Sequence, residues 1–322
     1  MSPPFPFAFW GAAVPAPVIT SLNYTQGDTS GGGQSIVITG LHFTGATGVT
    51  FGGTSATGVV VNSDTQITCT LPAHTVGAAQ DVVVTTPGGT STGGTGIFEY
   101  WSPANASGCS LFCDANYSGT LGGSGTWTAR VGTNPTSSSA PAASGGCPVF
   151  DGTHILTGPT VGSLFDFVAP CNMTVAVVMS ATAAAAHNSS LDQNIGILGD
   201  NARGALDVSF NANGFSLIAT DGTYKESVTA FAADGVKRCA VGRFADSAFL
   251  QTSVNNSAFT AHQTAFSSYS TGTTQALNIG SNFSTGVLNN ATLNALVTYS
   301  TILVDADCTK IYKWAQQKWG VT

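Results

Sequence analysis

At 322 residues the chain has room for two ordinary domains, each able to bury a core without metals or covalent staples. Only 8% of residues are charged, and 16 acids against 9 bases give a net charge of -7 with no Lys or Arg before Arg130. That balance argues against a nucleic-acid binder built on a basic stripe, and no apolar run approaches the roughly 20 residues of a membrane-crossing helix.

The composition is rich in Gly, Ser, Thr and Ala, with Val, Ile and Phe in short runs, which suits strands joined by tight turns. Seven cysteines (69, 109, 113, 147, 171, 239 and 308) include no CxxC pair and make an odd total. Cys109 and Cys113 could pair with each other or with Cys147 and Cys171. Buried free thiols fit such a sparse set better than a disulfide framework, so no bridge is expected.

Residues 1–16 carry no periodicity, and Pro3, Pro4 and Pro6 prevent a helix there. This stretch reads as an extended arm, and without a basic n-region it is not expected to act as a secretory signal. Phe5, Phe7, Phe9 and Trp10 would be costly to leave in water, so they are the candidate assembly anchor for pockets on a neighbouring subunit. Packing back onto the chain's own sandwich is the alternative.

From 17 to 100 short apolar runs recur at 35–39, 59–61, 66–71 and 81–86, separated by Gly31 to Gly33, Gly52-Gly53, Pro72 and Pro87-Gly88-Gly89. In Ile67-Thr68-Cys69-Thr70-Leu71 the alternation predicts Ile67, Cys69 and Leu71 facing a core and both threonines facing water. The order Pro17, Ile19, Gly27, Ile36 to Gly40, Phe43, Phe51-Gly52-Gly53, Ile67, Pro72, Val82, Val84, Phe98 and Tyr100 resembles an IPT/TIG immunoglobulin-like domain. The pattern departs at Tyr24, where that family often carries proline.

Residues 101–108, with Pro103, read as a short linker. Beyond it, longer strands are expected over 174–180, 194–198, 206–210, 215–219 and 293–304, with a Ser-, Pro- and Gly-rich exposed loop over 133–146. The last segment predicts a helix capped by Asp305, with Asp307 in its first turn, an apolar face of Cys308, Ile311, Tyr312, Ala315 and Trp319, and a stop at Gly320. Lys310, Lys313 and Lys318 follow the acids, in the sense the helix dipole favours.

Residues 109–322 resemble a concanavalin A-like or laminin G-like jelly roll through Ser110 to Ala115, Pro148 to Gly152, Asn278 to Ser281 and the final strand followed by a helix. The expected fold class is therefore all-β: an immunoglobulin-like sandwich followed by a jelly-roll sandwich with a C-terminal helix. Glycoside hydrolases of the second superfamily use paired carboxylates, usually glutamates, but here the glutamates are Glu99 and Glu226, far apart in sequence.

Asp305 and Asp307 fit capping better than catalysis, and no Gly-x-Ser-x-Gly elbow accompanies an acid and histidine. His42, His74, His154, His187 and His262 stand singly. Such folds often bind calcium, for which Asp166, Asp192 and Asp200 are conceivable ligands, yet their spacing forms no calcium loop. No enzyme activity and no cofactor are expected. Trp127, Tyr117, Tyr224 and Tyr269 are the loop aromatics a sugar site could draw on, but core or edge packing fits each of them better, so no sugar-binding residue is named.

The module order implies a non-catalytic virion structural protein of a bacteriophage, a capsid decoration, head fibre or tail component. Its location would be the virion surface, after assembly in the host cytoplasm and release. Its partners would be other virion proteins, further copies of itself and host-surface glycans, with no nucleic acid and no membrane insertion. A bacterial cell-surface adhesin or carbohydrate-binding protein is the alternative.

Overall fold

The structure, a computed structural model, describes residues 13–115, 125–137, 141–144, 147–151, 155–160, 172–182, 195–198, 206–211, 214–220, 224–245, 248–262, 276–280 and 289–322. Among the described residues it is all-β apart from one C-terminal helix and a 3-10 turn. The chain divides into two compact units, Met1–Trp101 and Ser102–Thr322.

The first unit contains strands β1 (Val18–Leu22), β2 (Gln26–Gly27), β3 (Ser35–Leu41), β4 (Gly48–Phe51), β5 (Thr54–Ser55), β6 (Thr57–Ser63), β7 (Gln66–Thr70), β8 (Gly77–Gln80), β9 (Val82–Thr86), β10 (Gly89–Thr90) and β11 (Phe98–Tyr100). They form sheets in the orders β1-β3-β7-β6, β10-β9-β4-β5 and β2-β11-β8. Alternation sets what each strand buries: Ile36 and Ile38 from β3 and Ile67 and Cys69 from β7 meet Val49 and Phe51 from β4 and Val82 and Val84 from β9 in one core. Ile67, Cys69 and Leu71 are buried as expected, and Thr68 and Thr70 are half-buried.

Two contacts fix the packing of this unit. Gly40 lies against β1 so closely that a Cβ there would sit 2.0 Å from the Val18 carbonyl oxygen. Tyr100 stacks on His74 with ring centroids 4.7 Å apart and donates its hydroxyl to the Pro72 carbonyl at 3.1 Å.

Residues 101–108 are built into the units instead of spanning free. Trp101 is buried and donates its N–H to the Gly27 carbonyl. Pro103–Asn105 form the 3-10 turn, with the Asn105 carboxamide oxygen accepting from the Ser102 N–H at 2.8 Å and hydroxyl at 3.1 Å.

The second unit contains β12 (Cys109–Asp114), β13 (Ala129–Val131), β14 (Ala142–Ser144), β15 (Cys147–Asp151), β16 (Leu156–Thr160), β17 (Asn172–Ala181), β18 (Ile195–Leu198), β19 (Leu206–Asn211), β20 (Gly214–Thr220), β21 (Tyr224–Thr229), β22 (Arg238–Ala245), β23 (Phe249–Val254), β24 (Thr260–His262), β25 (Ala276–Ile279) and β26 (Asn289–Tyr299). A nine-stranded sheet runs β13-β12-β26-β17-β22-β23-β24, with β15 on β26 and β14 on β15; β18-β19-β20-β21 form a second sheet and β16-β25 a short one. Met173, Val175, Val177 and Met179 from β17 and Ala240 and Phe244 from β22 share a core with Val208, Phe210, Phe215 and Leu217 from the four-stranded sheet.

Three expectations about strand bounds and helix capping need correction. Within 133–146, Ala142–Ser144 is an exposed strand paired to β15, because its small side chains let it continue the hairpin. The last strand ends at Tyr299, not 304, since the Ser300 N–H turns to the Gly108 carbonyl. The helix α1 (Asp305–Trp319) has Val304 as N-cap without a side-chain cap, because Asp305 gives its carboxylate to Arg243 instead.

Gly320 ends α1 in the left-handed region, at φ +68°, as the stop signal requires. The buried face is Cys308, Ile311, Trp314, Ala315 and Trp319, so Trp314 takes the place expected of Tyr312.

Candidate functional site

Five charged side chains of the second unit, Asp114, Arg130, Lys318, Arg243 and Asp305, meet where α1 lies on the outer face of the nine-stranded sheet. Strand alternation sends Leu111 and Cys113 into the core and leaves Phe112 and Asp114 on the outer face. Asp114 is fully buried, and one carboxylate oxygen accepts from Arg130 Nη1 at 3.1 Å and Lys318 Nζ at 2.6 Å, cations only 9% and 7% exposed. Aromatic rings line this network: Arg130 sits 4.8 Å over Phe112, Lys318 5.6 Å over Trp314, and the two rings meet edge-on at 5.5 Å.

Beside it, Asn294 is the extra residue where β26 bulges between Leu293 and Ala295, and it donates from Nδ2 to the Cys147 sulfur at 3.1 Å. Its Oδ1 is buried with no hydrogen-bond partner.

A second fastening holds the start of α1. Arg243 donates from Nη1 to Asp305 at 2.6 Å and to the Leu303 carbonyl at 2.9 Å, and from Nη2 to Gln251 at 2.8 Å. Its guanidinium lies 3.6 Å from the Phe259 ring centroid. The Thr174 hydroxyl donates to the Thr301 carbonyl at 2.9 Å and accepts from the Leu303 N–H at 2.9 Å.

A third polar feature joins the two sheets at one side. Ser227 and Thr229 of β21 bond Thr252 of β23 at 3.0 and 2.8 Å, and Thr252 bonds Thr260 of β24 at 3.1 Å. These hydroxyls form a seam that runs from buried Ser227 and Thr252 to exposed Thr260.

The sequence candidates fall as follows. Phe5, Phe7, Phe9 and Trp10, with Tyr117, Tyr269, Asp166, Asp192, Asp200, His154 and His187, lie outside the described residues, as do the side chains of Tyr224 and His262. Trp127 is fully buried in the core, which removes it as a sugar platform: its flank pairs through Thr126 and Thr136 to β16, drawing the ring inward. Glu99 belongs to the first unit, whereas Glu226 lies in the second and accepts from the Ser216 hydroxyl at 2.6 Å. Asp305 and Asp307 occupy the first turn of α1.

Among the described residues no group of three or more His, Cys, Asp or Glu could hold a metal ion. Among them, too, no helix is long and apolar enough to cross a membrane. The six described cysteines are free thiols, five of them buried. Burial holds Cys69, Cys239 and Cys308 up at about 12, so none is an activated nucleophile. The Asp114 network escaped sequence reading because its partners are 16 and 204 residues away, with no local signal.

The class is thus an all-β protein of two sandwich modules. Residues 17–100 match the family model of the IPT/TIG domain, the span over which the sequence resembles that family. No curated protein sequence matches the chain.

Among solved structures, the chain is similar to domain 4 of AbnA, a GH43 extracellular arabinanase from Geobacillus stearothermophilus in complex with arabinotriose. That match has 12% identity and a TM-score of 0.46, over 64% of this chain and 98% of that one. It is also similar to Trypanosoma rangeli sialidase in complex with sialic acid, at 11% identity and a TM-score of 0.48, over 89% of this chain and 44% of the sialidase. A third is the receptor-binding domain of botulinum neurotoxin C/D mosaic serotype, at 8% identity and a TM-score of 0.47, over 64% and 51%. The chain therefore spans less than half of the sialidase.

Proposed function

We propose that the chain is a non-catalytic structural protein of a virion surface, a capsid decoration, head fibre or tail component of a bacteriophage. In this reading the IPT/TIG module is a spacer and the larger sandwich binds host-surface glycans. The observation that carries the non-catalytic part is where the charges go: Asp114, Arg130, Lys318, Arg243 and Asp305 fasten a helix to a sheet, Asp64 accepts from the Thr44 N–H and ties two loops together, and Asp234 closes a turn. Groups held in ion pairs at 2.6 to 3.1 Å are poor candidates for moving protons to and from a substrate.

The glycan and assembly parts rest on the same scarcity of charge. A neutral, hydroxyl-rich ligand is bound by neutral donors, acceptors and apolar surface, and weakly charged copies pack side by side with little repulsion. Residues 1–16 are the proposed anchor, through Phe5, Phe7, Phe9 and Trp10.

The test is sedimentation of the full chain with candidate particles, in parallel with a glycan array and an assay for released reducing ends. Stoichiometric co-sedimentation that is lost on deleting residues 1–12, while the melt of both modules is unchanged, supports the reading. A monomer that ignores particles yet binds glycans points to a cell-surface adhesin, and released reducing ends overturn the non-catalytic reading.

A further inference from the structure

On β22, Ala240 and Phe244 enter the core, and a Cβ at Gly242 would point at Leu217 and Val175, so Cys239, Val241 and Arg243 face outward beneath α1. Arg243, four residues beyond Cys239 on that face, holds Asp305, three residues before Cys308. On the other side Cys239 and Asn255 are joined twice, by the Cys239 N–H to Asn255 Oδ1 and by the Asn255 N–H to the Cys239 carbonyl. The next residue, Asn256, accepts from the hydroxyl of Thr309, the residue after Cys308. The two buried thiols are therefore bracketed on one side by a direct contact of β22 with α1 and on the other by the turn after β23, which β22 holds at Asn255 and which reaches α1 through Asn256.

We propose that Cys239 and Cys308 are an oxidisable dithiol that reacts with a low-molecular-weight disulfide, such as oxidised glutathione, to staple α1 to β22. One thiol, once deprotonated, attacks the small disulfide; a mixed disulfide forms and one glutathione thiolate leaves. The second thiolate attacks the protein sulfur of that mixed disulfide and expels the other glutathione. The protein loses two electrons and two protons, and the reagent becomes two glutathiones. Burial keeps both thiols neutral while α1 is docked, so exchange starts when the helix lifts locally. This inference is independent of the glycan and virion readings.

The chain itself supplies the assay. Cleavage after Lys and Arg places Cys239 in peptide 239–243 and Cys308 in peptide 244–310, with no other cysteine in either. Full-length protein is incubated with oxidised glutathione, alkylated in denaturant, digested without reductant and mapped by mass. The expected product is 239–243 joined to 244–310, absent in Cys308→Ala and kept in Cys113→Ala. The melt of the larger unit should rise by about 10 °C and return on reduction, as closing a loop of roughly 70 residues requires.

Recovery of the two peptides separately, or of either one joined to another cysteine, overturns the proposal. A bond formed without a rise in melting removes the stapling role. The wild-type map decides the question even if Cys308→Ala fails to fold.

Discussion

Asp114→Asn tests whether the buried carboxylate holds the C-terminal helix. The change preserves shape and one acceptor but removes the charge shared by Arg130 at 3.1 Å and Lys318 at 2.6 Å, both nearly out of solvent. Breaking a buried ion pair costs about 3–5 kcal/mol, mainly because the cations stay desolvated. At about 3 kcal/mol, a domain of this size loses roughly 6–12 °C of melting temperature. Scanning calorimetry of the full chain should show that loss in the transition of unit Ser102–Thr322 alone.

Asp114→Leu combined with Lys318→Met and Arg130→Met should recover part of the loss, since replacing all the ions of a buried network with apolar groups of similar size is often neutral. A shift under about 2 °C in Asp114→Asn would mean that water reaches the cations and that the network does not fasten α1.

Alkali should weaken the IPT/TIG module. Burial holds the Cys69 thiol up at about 12 against an ordinary 9.0, so above pH 9 the unfolded chain loses a proton that the folded one keeps. Stability attributable to this thiol is complete below pH 9 and falls by about 1.4 kcal/mol per pH unit up to its folded value; Cys69→Val should flatten that part of a urea titration series. Gly40→Ala should destabilise the same module by more than about 2 kcal/mol, whereas Gly48→Ala, where a Cβ meets nothing within 4 Å, should cost under about 1 kcal/mol in the same melts. Arg243→Lys loses the guanidinium fork to Asp305, the Leu303 carbonyl and Gln251 and its stack on Phe259, and should cost about 1–3 kcal/mol, with faster amide exchange in α1 as the direct readout.

What the sequence made legible was what local physics controls. Ile67 to Leu71 alternate because a pleated strand must send neighbours to opposite faces, and the structure buries Ile67, Cys69 and Leu71. Gly320 stops the helix because only glycine enters the left-handed region without strain. What stayed hidden depends on pairing across the chain. Asp305 looks like a cap until Arg243, 62 residues away, takes its carboxylate. For Trp127 the sequence leaves a loop platform and core packing both open, and only the pairing of its flank with β16 decides for the core. The bulge at Asn294 is equally silent, since it follows from β26 serving both β12 and β15 along one edge.

The distribution of charge bears on how the larger module can work. With so few ionic groups in the chain, a design for steering or acid–base chemistry would place them at a solvent-facing cleft, where their fields act on a ligand. Here Asp114, Arg130, Lys318 and Arg243 lie instead between α1 and the sheet, where each bond constrains the protein alone. Their cost of desolvation is met by mutual pairing, and what they contribute is position: α1 is fixed at its start by Arg243 and near its end by Asp114. A helix fixed at both ends covers part of the outer face of the nine-stranded sheet, over β22 and β17, in the native state. Under the proposed glycan-binding reading, recognition would then fall to other surfaces of the module, where neutral side chains dominate by composition and specificity would come from hydrogen bonds and shape.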